Sequence, residues 1–178
     1  MGDATTNIGA FHESLNLAAI WSLPALFVCE NNTYAEFTDS RTMSRRPGVA
    51  QLGPTYGLLS RQVDGNDVEA VLAAASEACS ACRAGQGPFL LEALTYRWQG
   101  HYEGDQQAYK PDAEAEAWKA RDPLQITRRR VEDAELASRD ELDEIMAAAE
   151  RRIDEALAFA RASAFPPIDE TYTDVFCD

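Results

Sequence analysis

The chain has 178 residues, 46% of them apolar, which is enough for one domain with a buried core. Acidic side chains outnumber basic ones by 30 to 16, and the formal net charge is −14. This charge repels phosphate backbones and anionic lipid headgroups, so it argues against binding to nucleic acid or to a membrane surface. No apolar run approaches the roughly 20 residues that span a bilayer, and the N-terminus lacks the features of a secretory signal. We therefore expect a cytoplasmic protein.

The first two thirds of the chain alternate between helix and strand patterns. Apolar residues recur at helical spacing over residues 11–21, and Pro24 ends this helix. Residues 25–29 form a continuous apolar run, as expected for a strand of a parallel sheet with helices on both faces. Further along, the pattern predicts mostly loop at 33–54, a strand at 58–63, a helix at 68–83 and a strand at 88–96. The alternation predicts an α/β fold with a parallel sheet flanked by helices.

The last third begins with a segment that shows no periodicity. Residues 97–111 are polar and aromatic, and a long loop of this kind is usually functional. The remainder is predicted to be helical, with a capping box from Ser138 to Glu141 and an apolar stripe that packs against the domain or a partner subunit. We predict a single domain over residues 1–178, made of an α/β core (1–96), an active-site loop (97–116) and a helical C-terminal segment (117–178).

The Cys79-x-x-Cys82 pair lies in an alanine-rich helical pattern, with no second cysteine pair and no histidine nearby. Its spacing places both thiols on one face of the helix. We interpret these cysteines as packing residues rather than as a metal or redox site.

Three polar clusters follow the strand-like segments, around Asp3, Asn32 and His101. Ligands of an open parallel sheet bind at the carboxyl ends of its strands, so the three clusters predict one site. Carboxylate and amide oxygens such as those of Asp3 and Asn32 suit Mg²⁺, and the carbonyl of Tyr34 could add a third oxygen. The N–H groups that follow Asp3 would face a phosphate. The alternative is that Asp3 and the two asparagines are ordinary turn and cap residues.

The segment that runs from Gly2-Asp3-Ala4 to Asn31-Asn32 resembles the thiamine-diphosphate fingerprint, in which Gly-Asp-Gly precedes Asn-Asn by about 30 residues. More narrowly, the chain resembles the alpha subunit of the first component of pyruvate and acetoin dehydrogenase complexes. This likeness continues through VDGNDVEAV, GPFLLEALTYRWQGHYEGD and RDPLQ. It implies a thiamine-diphosphate-binding fold, with thiamine diphosphate and Mg²⁺ as cofactors. The implied reaction cleaves acetoin or a 2-oxo acid such as pyruvate and passes the acyl group to a lipoyl carrier.

The same resemblance implies roles for individual residues. The metal would be held by the side chains of Asp3 and Asn32 and by the carbonyl of Tyr34. His101 would lie on the active-site loop and act in catalysis beside the cofactor, whereas His12 is interpreted as structural. The cofactor-binding set is Gly2, Asp3, Ala4, Thr5, Asn32, Tyr34 and His101, with Ala4 and Thr5 offering main-chain N–H groups to the diphosphate. The implied partners are a beta subunit, which would supply the carboxylate that activates the cofactor, and a lipoyl-bearing acyltransferase.

Two departures from the family pattern keep alternatives open. Ala4 stands where the family has glycine, and its methyl group could crowd the diphosphate. The chain would also lack the N-terminal part of the family fold. One alternative is therefore a truncated, non-catalytic relative that acts as a subunit-interaction module. Another is an unrelated phosphate-binding α/β domain, which would be expected to carry a glycine-rich phosphate loop.

Overall fold

A computed structural model describes residues 1–173 of the chain. The backbone divides into two compact units, residues 1–129 and residues 130–178. The single domain over residues 1–178 stays a prediction.

The first unit is built on a parallel sheet. Its strands and helices, in chain order, are α1 (Gly9–Ile20), β1 (Leu26–Asn31), β2 (Tyr34–Ala35), β3 (Thr38–Asp39), α2 (Leu52–Thr55), β4 (Leu59–Asp64), α3 (Val68–Arg83), β5 (Phe89–Leu94), α4 (Asp112–Lys119) and α5 (Pro123–Asp133), which ends beyond the unit. The sheet has the order β1–β5–β4, and both pairings are parallel. These features confirm the predicted α/β class and the parallel sheet flanked by helices.

The central strand β5 is buried on both faces because helices cover each side of the sheet. Leu90 packs in one cluster with Phe11 and Leu15 of α1. Its neighbour Leu91 packs in a second cluster with the alanines of α3. Leu15 and Leu90 have no solvent exposure, and burying each leucine stabilises the fold by about 1.5–3 kcal/mol. This two-sided burial explains why five of the six residues of the strand are apolar.

Helix α3 begins and packs as its sequence predicts. The carboxylate of Asp67 accepts hydrogen bonds from the N–H groups of Glu69 and Ala70, which caps the helix. Cys82 is buried in the cluster against β5, and Cys79 is partly exposed on the same helix. No group of three or more His, Cys, Asp or Glu side chains in residues 1–173 is arranged to hold a metal. Packing thus accounts for Cys82.

Two segments predicted mainly as loops contain short regular elements or end where a helix begins. The segment at 33–54 includes the β2–β3 hairpin and the start of α2. The loop predicted over residues 97–116 ends at residue 111, because α4 begins at Asp112. Pro111 occupies the N-cap of α4, and the acidic residues Asp112 and Glu114 in its first turn interact favourably with the helix dipole.

The second unit is dominated by the long helix α6 (Arg139–Ala162), followed by a 3₁₀ turn at Ile168–Tyr172. The predicted capping box is confirmed, because Ser138 and Glu141 exchange hydrogen bonds between side chain and backbone. Within the predicted apolar stripe Ile145, Met146, Ile153 and Leu157 are exposed. The end of the predicted helical segment, residues 174–178, lies outside the described residues. Among the described helices none combines the length and the apolar character that crossing a membrane requires.

Candidate diphosphate and metal site

The N-terminal residues meet the carboxyl end of β1. Gly2 forms a parallel bridge with Glu30, and the N–H of Glu30 donates to the carbonyl of Met1 at 2.9 Å. Asp3 then begins a 3₁₀ turn over Asp3–Asn7, which we call the fingerprint turn. The N–H of Asn32 lies 3.4 Å from Oδ1 of Asp3. The structure therefore brings Asp3 and Asn32 together across 29 residues of sequence, as their positions at strand ends predict.

Asp3 carries a buried carboxylate that lacks a full set of partners. The residue is 5% exposed, and its Oδ2 has no hydrogen-bond partner among the described residues. A buried polar atom without a partner is costly, and a charged oxygen is more costly still. A bound cation would remove this cost. Among the residues implied by the family resemblance, Asp3 thus has the environment best suited to a metal ligand.

The turn at residues 31–34 presents the other two implied metal ligands. Oδ1 of Asn32 accepts a hydrogen bond from the N–H of Tyr34 at 3.2 Å, and Oδ1 of Asn31 accepts one from the N–H of Thr33 at 3.3 Å. Thr33 has a φ of 77°, in the left-handed region that a β-branched residue rarely adopts. The turn is thus held in an uncommon conformation between Asn32 and Tyr34.

The fingerprint turn has open space beside Gly2, but one of its N–H donors is already hydrogen-bonded. A side-chain carbon placed on Gly2 would meet no atom within 4 Å, so space is open beside it. The N–H of Thr5 donates to the carbonyl of Gly2 at 3.2 Å, so a phosphate would have to share this donor. Ala4 is not among the residues with positive φ, so its backbone does not require glycine.

Two residues that the family pattern did not single out hold the fingerprint turn. The hydroxyl of Thr6 donates to the carbonyl of Asp3 at 2.7 Å. His12 contacts the carbonyl of Thr6 through Nε2 at 2.9 Å and the hydroxyl of Tyr56 through Nδ1 at 2.7 Å. Because a carbonyl only accepts, Nε2 carries the proton. These contacts support the structural role predicted for His12.

A cavity of about 80 Å³ opens beside Asp3, lined by the fingerprint turn, the end of β1 and residues 40–49. The guanidinium of Arg46 lines it and donates to the hydroxyls of Ser44 at 3.0 Å and Thr6 at 3.3 Å. No acidic side chain in the described residues pairs with Arg46, whereas the nearby Arg41 is paired with Asp39. Arg46 is therefore the cation of this cavity that remains available to an anionic ligand.

His101 lies next to the β2–β3 hairpin. Its Nε2 is 3.8 Å from a carboxylate oxygen of Glu36, and its ring meets that of Phe37 edge-on with centroids 6.0 Å apart. In the described residues it makes no hydrogen bond to Asp3 or Asn32. The structure thus places His101 beside the segment that directly follows Tyr34.

The loop at 97–111 is organised around two charged residues. The carboxylate of Asp105 accepts hydrogen bonds from the N–H of His101 at 2.7 Å, the N–H of Gln107 and the hydroxyl of Tyr109. These bonds hold the pKa of Asp105 below its usual value, although burial opposes them. A side chain on Gly100 would collide with Asp105, so close packing rather than flexibility explains this glycine.

Lys110 is the second organising residue and is only 7% exposed. Its ammonium group donates to the carbonyls of Arg97 and Gln99 at 2.6 and 2.7 Å. It also lies 5.5 Å from the ring centroid of Tyr96 and 5.8 Å from that of Tyr34. Burial and the neighbouring Arg97 lower the pKa of Lys110. The sequence shows Lys110 only as a lone basic residue in a polar loop, so pattern reasoning missed its role.

We expect Lys110→Met to loosen this loop. The variant keeps a long apolar stem but loses the charged hydrogen bonds, each of which is worth about 1.5–3 kcal/mol. Backbone amides at residues 97–109 should exchange with solvent at least about tenfold faster, as measured by hydrogen–deuterium exchange. The control is Lys119→Met, because Lys119 is exposed and pairs with the nearby Glu116 on the surface. Equal exchange in Lys110→Met and the native chain would contradict the assigned role.

Comparison with known proteins supports the family resemblance seen in the sequence. The model of the family described as "Dehydrogenase E1 component" matches residues 1–169. The chain is 40% identical over 177 residues to pyruvate dehydrogenase E1 component subunit alpha of Porphyra purpurea, covering 99% of this chain and 52% of that protein. It is 39% identical over 176 residues to the alpha subunit of acetoin:2,6-dichlorophenolindophenol oxidoreductase of Bacillus subtilis, covering 98% of this chain and 52% of that protein. The chain thus spans about half the length of the curated relatives it matches. It belongs to the dehydrogenase E1 component family.

Proposed function

We propose that this chain is the diphosphate-binding part of the alpha subunit of a thiamine-diphosphate-dependent dehydrogenase. The substrate class is acetoin or a 2-oxo acid such as pyruvate, and the acyl group passes to a lipoyl carrier. The observation that carries the proposal is the buried Oδ2 of Asp3, which has no hydrogen-bond partner in residues 1–173 and lies beside Asn32 within a diphosphate fingerprint. Relatives named as pyruvate dehydrogenase and acetoin oxidoreductase alpha subunits support both substrate classes.

The side chains fit a magnesium–diphosphate group. Asp3 and Asn32 would coordinate Mg²⁺ through their side-chain oxygens and Tyr34 through its carbonyl, with water and phosphate oxygens completing the shell. The N–H groups of Ala4 and Thr5 would contact the diphosphate. Thiamine diphosphate, when bound, supplies the nucleophilic carbon that attacks the substrate carbonyl. This chain positions the diphosphate and balances its charge.

His101 is proposed as the catalytic residue of the loop at 97–111. It is exposed beside Glu36 and Phe37, so it is accessible to a substrate or a lipoyl group. An imidazole can hold or move a proton near neutral pH, which suits acyl transfer. A beta subunit would complete the site, and a lipoyl-bearing acyltransferase would receive the acyl group.

The test of this role separates turnover from binding. In the enzyme assembled with its beta subunit, His101→Ala should lower turnover by about tenfold, or about 1.4 kcal/mol. Affinity for thiamine diphosphate should change by less than about twofold, since His101 makes no hydrogen bond to Asp3 or Asn32 in the described residues. Tyr102→Phe is the matched control, because it alters the next residue of the same loop and keeps the ring. Equal losses of turnover and affinity would make His101 a diphosphate ligand instead.

The second candidate function is a subunit-interaction module without catalysis. The exposed apolar residues of α6 favour it, since they form a surface suited to another protein. The methyl group of Ala4 points the same way, because it stands where the fingerprint has glycine. Such a module predicts partner binding without magnesium-dependent cofactor binding.

A further inference from the structure

Glu92 is a fully buried carboxylate in the centre of the sheet. It accepts hydrogen bonds from Asn31 of β1 at 2.7 Å, from Gln62 of β4 at 3.0 Å and from the N–H of Ala50 at 2.9 Å. A side-chain carbon on Gly48 would lie 2.9 Å from its Oε2, so the segment at 48–50 passes directly over it. Glu92 thus connects all three strands and a loop, yet it faces no metal ligand directly.

Asn31 links Glu92 to the turn at residues 31–34 through a second hydrogen bond. A carboxylate only accepts hydrogen bonds, so the amide nitrogen of Asn31 must face Glu92. This orientation directs the amide oxygen of Asn31 to the N–H of Thr33, which it accepts at 3.3 Å. The buried charge therefore fixes which end of the Asn31 amide meets the turn at residues 31–34.

Thr33 is the residue that needs such support. Its φ of 77° is unfavourable for a β-branched side chain, and such a conformation persists only when its surroundings enforce it. Its carbonyl accepts a hydrogen bond from the N–H of Ser40 at 2.8 Å. Thr33 separates Asn32 from Tyr34, so its backbone conformation sets how these two residues are placed relative to each other.

We propose that Glu92 is a positioning residue for the metal site. Through Asn31 it holds Thr33 in the left-handed conformation, and this conformation keeps the side chain of Asn32 and the carbonyl of Tyr34 on one ion. The inference rests on the proposed function, because it needs Mg²⁺ at this turn. It adds a buried carboxylate that acts without touching metal, cofactor or substrate.

The test removes the link between Glu92 and Thr33 by replacing Asn31 rather than the buried Glu92. Asn31→Ala leaves Glu92 with its bonds to Gln62 and Ala50 but releases Thr33. In the 178-residue chain with saturating thiamine diphosphate, Mg²⁺ affinity measured by calorimetry should fall about tenfold. The double variant Asn31→Ala/Thr33→Gly should recover most of the affinity, because glycine adopts positive φ without support. Gln62→Ala is the matched control, since it removes a hydrogen bond to the same carboxylate on the far strand and should leave Mg²⁺ affinity near native.

Backbone NMR supplies a readout that needs no cofactor. The ¹³Cα and ¹³Cβ shifts of Thr33 should leave the left-handed range in Asn31→Ala and remain there in Gln62→Ala. Three results would each overturn the inference while the proposed function stood. They are a native Mg²⁺ affinity in Asn31→Ala, an Mg²⁺ affinity of the double variant as low as that of Asn31→Ala, and unchanged ¹³C shifts of Thr33 in Asn31→Ala. A native chain that takes up no Mg²⁺ with thiamine diphosphate would overturn the proposed function and the inference together.

Discussion

Replacing Asp3 with alanine is expected to weaken Mg²⁺-dependent binding of thiamine diphosphate on the order of 100-fold, about 2.7 kcal/mol. Asp3 supplies the only carboxylate among the three proposed metal ligands, so its removal leaves the ion without a protein charge. Among the described residues its buried Oδ2 has no hydrogen-bond partner and its Oδ1 accepts a single long bond, 3.4 Å from the N–H of Asn32, so little existing hydrogen bonding is lost with the carboxylate. The loss should therefore appear in binding rather than in folding.

Two comparisons sharpen this expectation. Asp3→Asn keeps an acceptor for the N–H of Asn32 and removes only the charge, so its affinity should lie between those of the alanine variant and the native chain. The unfolding midpoint of Asp3→Ala without ligands should equal or exceed the native one, because a buried charge has been removed. Unchanged Mg²⁺-dependent binding in Asp3→Ala would refute the metal site.

The second large effect concerns stability. Glu92→Ala should lower the free energy of unfolding by about 3–5 kcal/mol, since each buried donor left without its acceptor costs about 1–3 kcal/mol. The donors affected are the side chains of Asn31 and Gln62 and the N–H of Ala50. Urea unfolding measures the change. Glu77→Ala is the control, because Glu77 forms an exposed ion pair with Arg61 and should cost less than about 1 kcal/mol.

The contribution of Glu92 should also depend on pH. Burial raises the pKa of Glu92, but hydrogen bonds from the N–H groups of Ala50 and Val49 and from the side chains of Asn31 and Gln62 outweigh burial and lower it below 4.5. A carboxyl with a lowered pKa in the folded state stabilises the fold above its unfolded pKa, and this stability is lost as pH falls through the folded value. The difference between native chain and Glu92→Ala should therefore shrink below about pH 4.5. A difference that is constant across this range would contradict the account.

The sheet and its helices could be predicted because buried elements have apolar patterns and cap residues that are visible in the sequence. Strand β5 is apolar on both faces, and α3 has a capping residue at Asp67 and glycine beyond its end. The closeness of Asp3 and Asn32 was predicted from polar residues placed where strands end. The meeting of Asp3 with Asn32 follows from the parallel arrangement alone.

The residues that pattern reasoning missed are charged residues that become buried only when separate parts of the chain meet. Glu92 interrupts an apolar strand, and its partners lie 30 to 61 residues away. Lys110 sits in a segment without periodicity, and its burial depends on aromatic rings from three parts of the chain. Neither residue has a local signature, because its role arises only when the sheet and the loop are assembled.

Calorimetric titration of the chain with thiamine diphosphate, with Mg²⁺ and with chelator, tests the central claim most directly. We expect binding that requires Mg²⁺, with pyrophosphate reproducing it and thiamine without phosphates giving no signal, because the chain contacts the diphosphate. Arg46→Gln should weaken this binding more than Arg45→Gln, since Arg46 lines the cavity beside Asp3 and Arg45 does not. An affinity for thiamine diphosphate that is the same in chelator as in Mg²⁺, or no binding in Mg²⁺, would contradict the proposed diphosphate site.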